Sequence, residues 1–343
     1  MPAGKKLSIQ ETIRQRQGDA FVGRTEELKR FRDNLALSID SDQRCFVFAI
    51  SGQGGVGKTS LLHRFRRIAA EDGALSALTD HGETDVIEAM ARIATQLAEQ
   101  GFPLKEFESQ HRAYLQLKQR LEADPEAPQG ISMILGRALA KGALHLGRSV
   151  PGGDIIVGML DEDAIQKKSG EMISSMLEKI GNKNELRLAQ DLIGALTPLF
   201  LSDLSQVAEQ RQVVLCFDTF ERTGAFLEPW LIAVLEGRYG DLSPNVVLVI
   251  AGCNDLDPNH WNPYNSVLVR MPFEPLEEPE ARDFLARKGV QNEEVVEVIL
   301  RLSGRLPLLL ATLAEEAPSD PSKVGDPSGV AVERFLRWVE SPR

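Results

Sequence analysis

Cysteine is scarce in this chain. Cys45, Cys216 and Cys253 are the three it has in 343 residues, each within an apolar run and none in a Cys-x-x-Cys pair. That pattern is expected of buried, reduced thiols in a reducing compartment. Positive charge is also in deficit, with 39 Lys and Arg against 50 Asp and Glu and a net charge of −11. General adhesion to nucleic acid or to an anionic membrane is thereby disfavoured. Long apolar runs are missing too. The longest, LIGALTPLFL at 192–201, is about half a membrane span and contains Thr197 and Pro198. The start, MPAGKKLSIQ, has two lysines with no apolar stretch behind them, so it does not read as a secretory signal. No internal repeat is visible. These absences point to a cytoplasmic protein without a membrane partner.

What is present is ordinary for a globular chain: 43% hydrophobic and 26% charged residues. Five short apolar runs read as strands, at 45–51, 74–80, 212–218, 245–252 and 266–271. Runs this apolar suit strands buried on both faces, hence a mostly parallel sheet between helices and an α/β class. Thr25 reads as the cap of a helix from Glu26, with Leu28, Phe31 and Leu35 on one face. A long helical insertion is expected at about 102–210, its Gly-rich middle (142–161) reading as a flexible connector, with a membrane-touching or gating loop as the alternative. After residue 272 the strands stop. Helices are expected at 278–289, at 292–304 with Asn292 as cap and Gly304 as stop, and from Pro307. A linker at 317–329 and a last helix follow, and residues 1–20 read as a leader. The expected division is a nucleotide-binding domain over 21–272 and a helical lid over 273–343.

The chemistry begins in SGQGGVGKTS at 51–60. Gly52-Gln53-Gly54-Gly55-Val56-Gly57-Lys58-Thr59 matches G-x-x-x-x-G-K-[ST] directly after the first strand and before a helix. Glycines let the backbone curl so that several N–H groups face one phosphate, and the helix aims its positive end at the same anion. Lys58 supplies a full charge for the outer phosphates, Thr59 a hydroxyl for Mg²⁺, and Ser60 a further group at the helix start. An ordinary glycine-rich turn is the alternative, and the strand-to-helix context speaks against it.

QVVLCFDTFER at 212–222 ends an apolar strand in Asp218. A carboxylate there can hold Mg²⁺, directly or through water, or simply cap the strand's end. Glu221 can orient or deprotonate an attacking water, or be a solvated loop carboxylate. Arg222 is left open. At the end of the next strand Asn254 or Asp255 can face the outermost phosphate, or cap the turn before Pro258.

The order FVGR (21–24), GQGGVGKT, VVLCFDTFE, VVLVIAG, F-x-P-L (273–276) and GRLPL (304–308) resembles the STAND class of P-loop NTPases. That class holds the AP-ATPases, the NACHT proteins, plant resistance proteins and bacterial regulators and antiphage sensors; the DTFE form and late GRLPL are similar to its bacterial members. The resemblance covers about 20–340 apart from the insertion. It implies that Val22, Gly23 and Arg24 lie near base and ribose and that Pro307 packs on the adenine. Many members end the fourth strand in a phosphate-sensing arginine; this chain has Ala251-Gly252-Cys253-Asn254. Members usually continue into a winged-helix domain and a repeat array, so the resemblance implies an excised ATPase module or a natural short form.

The function implied is an ATP/ADP switch. ADP holds it closed, ATP with Mg²⁺ opens it to self-association, and slow hydrolysis resets it. The trigger and effector proteins are not legible. The alternatives are an AAA-type ATPase acting on nucleic acid, which the acidic charge and lack of an aromatic-basic stripe disfavour, and a non-hydrolysing nucleotide-binding scaffold.

Overall fold

The computed structural model describes residues 21–122, 188 and 191–315. The expected leader, the Gly-rich middle of the insertion, the late linker and the last helix lie outside those residues. Five strands form one parallel sheet: β1 (Val47–Ser51), β2 (Leu75–Thr79), β3 (Val213–Phe217), β4 (Val246–Gly252) and β5 (Leu268–Pro272), in the order β2-β3-β4-β1-β5. All five lie within the apolar runs singled out above, except that β5 extends to Pro272. Strands β1, β3 and β4 are buried along their whole length. The α/β class with a five-stranded sheet between helices is thus as expected.

Within the described residues the chain divides into two compact units, one of 21–72, 216–219 and 248–315, the other of 73–122, 188, 191–215 and 220–247. In the first unit β1 lies between β4 and β5, parallel to both, with Ser51 level with Gly252 and with Pro272. The residues that follow these strand ends, Gly52, Cys253 and Phe273, therefore emerge side by side at the carboxyl edge. Helix α1 (Thr25–Ala36) and helix α2 (Lys58–Glu71) pack on this sheet through Phe31, Phe48 and Phe65. The rings of Phe31 and Phe65 stack at 3.9 Å, and Phe48 meets Phe31 edge-on at 5.5 Å. Each ring buries a large apolar area, and such pairs add about 0.5–1.5 kcal/mol beyond it. The expected cap of α1 is corrected: Thr25 is already helical, and the N-cap is Arg24 in a left-handed conformation whose side chain makes no capping hydrogen bond to the helix.

The later part of the first unit holds helices α7 (Pro258–Trp261), α8 (Glu278–Arg287), α9 (Glu293–Ser303) and α10 (Pro307–Glu315). The Asn292 carboxamide caps α9 by accepting from the N–H groups of Glu294 and Val295, and Gly304 ends it at φ 55°. Pro307 takes the first position of α10, where a missing N–H costs nothing. Leu276, Leu285, Val295, Ile299 and Leu310 join α8, α9 and α10 in one apolar cluster. On the surface Arg282 pairs with Glu278 within α8 and ties α8 to α9 through Glu293 and Glu297.

The second unit holds α3 (Val86–Glu99), α4 (Lys105–Glu122), α5 (Leu192–Gln210) and α6 (Phe220–Leu235). Phe107, Phe200 and Trp230 meet in its core, and the Trp230 indole donates to Thr197 Oγ1 at 3.2 Å. The apolar run at 192–201 lies in α5, with Pro198 inside the helix. Among the described residues no helix is long and apolar enough to cross a membrane.

Among the described residues β2 is an edge strand, and side chains at the end of α3 cover that edge. The Gln96 amide both donates to the Leu78 carbonyl (2.7 Å) and accepts from its N–H (3.1 Å). Gln100 does the same to Ser76, at 2.9 and 3.1 Å. Two side chains one helical turn apart thus stand in for a neighbouring strand and satisfy groups that would otherwise invite edge pairing.

Candidate functional site

The glycine-rich loop leaves the carboxyl end of β1 and enters α2 at Gly57, which sits at φ 102°. Val56, 1% exposed, anchors the loop's middle in the core. Lys58 is buried, and its ammonium donates to the carbonyls of Gly52 and of Gln53 (3.1 Å). Turned this way, the lysine sits at the mouth of the loop it belongs to. Thr59 and Ser60 follow on the exposed side of the first turn of α2.

Asp218 follows the last residue of β3 and is 5% exposed. Its Oδ2 accepts from the Thr59 hydroxyl at 2.7 Å, and its Oδ1 from the Thr219 N–H at 2.9 Å. Two residues 159 positions apart, both assigned to metal from the sequence, are therefore in direct contact. Both present oxygen ligands, the kind a hard cation such as Mg²⁺ takes. Among the described residues there is no cluster of three or more His, Cys, Asp and Glu suited to a metal. A lone carboxylate plus a hydroxyl fits Mg²⁺, which relies on substrate phosphates and waters for its other ligands. Thr219 itself stands at φ 55°, unusual for a β-branched residue.

Strand β4, beside the loop's own strand in the sheet, is followed by a group that sequence reasoning missed. The Cys253 sulfur lies 3.9 Å from Lys58 Nζ. Asn254 and Asp255, the two candidates named for this place, are exposed, and the cap of the short helix α7 is Asp257, which accepts from Asn259 N–H at 2.9 Å. Register explains the shift: Gly252 is level with Ser51, so the next residue, Cys253, is the one beside the loop. The expectation that all three thiols are buried is corrected as well; Cys216 is buried, with its thiol pushed up to about 12 mainly by burial, whereas Cys45 and Cys253 are partly accessible.

Val22 is buried, while Gly23 (φ 73°) and Arg24 (φ 59°) are both left-handed. The Arg24 guanidinium lies 4.2 Å above the Phe273 ring. Phe273 in turn donates its N–H to the Ser51 carbonyl at 2.6 Å. This chain of contacts brings the FVGR segment beside the start of the glycine loop. The other end of that loop meets α10: Leu308 N–H donates to the Gly55 carbonyl at 3.2 Å. A Cβ on Gly55 would fall 2.8 Å from Leu308 Cβ. Pro307, half-buried, precedes that contact by one residue. Glu221 lies in the first turn of α6 and is exposed, as is Arg222.

A strand, a glycine loop with its lysine and threonine, and a strand-end aspartate bonded to that threonine form the signature of a P-loop NTPase fold. No family model and no curated protein matches the chain. Among solved structures it is similar to a Walker-type ATPase of Pyrococcus abyssi, at 13% identity and TM-score 0.47, over 94% of this chain and 73% of that one. It is also similar to a chain from the HORMA:CdnC:Trip13 complex of Escherichia coli MS115-1, at 12% identity and TM-score 0.42, over 98% and 87%. A third likeness is to the RuvB Holliday junction branch migration motor of Thermotoga maritima, at 14% identity and TM-score 0.39, over 95% and 66%.

Proposed function

We propose that the chain binds ATP and ADP with Mg²⁺ and works as a STAND-type switch, in which slow ATP hydrolysis resets a nucleotide-dependent arrangement of a helical lid. The observation that carries this reading is the Thr59–Asp218 contact beside a buried Lys58 at the mouth of a glycine loop. Backbone N–H groups of 52–57 hold the phosphates, and Lys58 leaves its carbonyl partners for the outer ones. Asp218 and Thr59 hold the cation, which when bound neutralises charge developing on the phosphate oxygens. Glu221 orients the attacking water and takes its proton. Val22, Gly23 and Arg24 flank the base, and Pro307 packs on it from the lid, whose described part is α8 to α10.

The Leu308–Gly55 hydrogen bond supports the switching part of this reading. It ties the lid's last described helix to the phosphate loop itself, so a change in that loop shifts the lid. Such coupling can move an equilibrium only by the difference in nucleotide affinity between the two lid positions. Opening of the lid is the step that permits self-association, in the cytoplasm.

The test is to purify the protein, denature it and identify the nucleotide released. Retained ADP, lost in Lys58→Ala, supports the switch. Rapid ATP turnover stimulated by DNA favours the motor reading instead. No retained nucleotide together with no binding of added ATP and Mg²⁺ refutes the proposal.

A further inference from the structure

The segment 273–280, between β5 and the first turn of α8, touches both ends of the candidate site. At one end the Phe273 carbonyl crowds Gly52, where a Cβ would fall 2.5 Å from that oxygen. At the other end stands Glu280, whose carboxylate is divided between two backbone donors. Its Oε1 accepts from Arg24 N–H at 3.0 Å, and its Oε2 from Glu277 N–H at 3.1 Å. A Cβ on Gly23 would fall 2.4 Å from Oε1, so this carboxylate fills the room that a side chain at position 23 would need. Arg24 adds a hydrogen bond from its guanidinium to the Glu274 carbonyl. Gly23 and Arg24 are consecutive left-handed residues, a backbone shape that one of them, as an arginine, adopts only when its surroundings hold it there. A charged acceptor on the Arg24 N–H is such a hold, stronger than a neutral one.

We infer that Glu280 is the positioning residue of the base end of the nucleotide site: it locks the Gly23–Arg24 turn and ties it to the start of α8. This rests on the adenine-nucleotide reading above. Glu280 touches no nucleotide atom; it acts through the turn whose backbone meets the base. The phosphate loop has its own supports and does not depend on it.

The test compares titration of ADP with titration of inorganic tripolyphosphate, which engages the phosphate loop alone, on four proteins. Glu280→Ala weakens ADP about tenfold, the loss of the Arg24 N–H hydrogen bond at about 1.4 kcal/mol, and changes tripolyphosphate by less than about twofold. Glu280→Gln keeps one acceptor oxygen and weakens ADP only about threefold, which carries the test should the alanine variant fail to fold. Glu277→Ala removes the other half of the α8 capping box without touching Arg24, and leaves ADP affinity unchanged. Unchanged ADP binding in both Glu280 variants overturns the inference. So does an equal loss of both ligands, or a Glu277→Ala variant that reproduces the defect. A parent protein that binds neither ligand overturns the nucleotide reading beneath it, and is recognisable because no variant need be consulted.

Discussion

Replacing Gly52 by alanine should cost more stability than replacing Gly57, although the motif alone gives the two glycines equal standing. Both have positive φ, 153° at Gly52 and 102° at Gly57. An alanine forced into such a backbone costs about 1–2 kcal/mol at either position. The surroundings differ. A Cβ on Gly57 meets nothing within 4 Å, whereas one on Gly52 falls 2.5 Å from the Phe273 carbonyl oxygen and 3.0 Å from its Cβ. An ordinary carbon–oxygen contact is about 3.3–3.6 Å, so the overlap is on the order of 1 Å. No rotamer change relieves it, because the obstacle is backbone, and the Phe273 N–H is itself tied to Ser51 at 2.6 Å. Forcing β5 and the loop apart adds about 1–3 kcal/mol. At roughly 1–2 °C per kcal/mol for a chain of this length, Gly52→Ala should melt about 2–4 °C below Gly57→Ala. Thermal unfolding of nucleotide-free protein, followed by circular dichroism, measures this. Equal melting points, or a greater loss in Gly57→Ala, would refute the reasoning.

Asp218→Asn keeps an acceptor for the Thr219 N–H but loses the charge. It should cut the Mg²⁺-dependent part of ATP affinity by about 10–100-fold while leaving metal-free ADP binding close to the parent's, which calorimetry with and without Mg²⁺ will show. Glu221→Gln should spare ATP binding and slow single-turnover hydrolysis by about 100-fold or more; turnover at the parental rate would remove Glu221 from the role of base. Changing Gln96 and Gln100 together to alanine uncovers the backbone of Ser76 and Leu78 on the free edge of β2. Concentration-dependent association should then appear in light scattering, and a variant as monodisperse as the parent would show that the edge is guarded by something else.

Patterns carried by near neighbours in the chain were legible without coordinates. Five apolar runs became five strands because a strand buried on both faces needs an unbroken apolar stretch, and α9 begins at Asn292 and stops at Gly304 because cap chemistry is local. The glycine loop could be read for the same reason, since its lysine and threonine follow it directly. Where a placement depended on partners far along the chain, local pattern did not reveal it. Thr25 resembles a cap, but Arg24 takes that place, its side chain over Phe273 and its N–H on Glu280, both far along the chain. Cys253, and not Asn254 or Asp255, is the neighbour of Lys58 because strand register brings it there.

Composition and order along the chain therefore settled which segments become strands and helices and that one glycine-rich loop turns from a strand into a helix, because backbone dihedrals and apolar periodicity act over a few residues. The fold alone decided who meets whom: Thr59 with Asp218, Leu308 with Gly55, Glu280 with the Gly23–Arg24 turn, the two glutamines with β2. Those pairings depend on strand order and register, which bring together groups up to 256 residues apart. No local preference encodes such a meeting; it follows from packing the whole sheet at once.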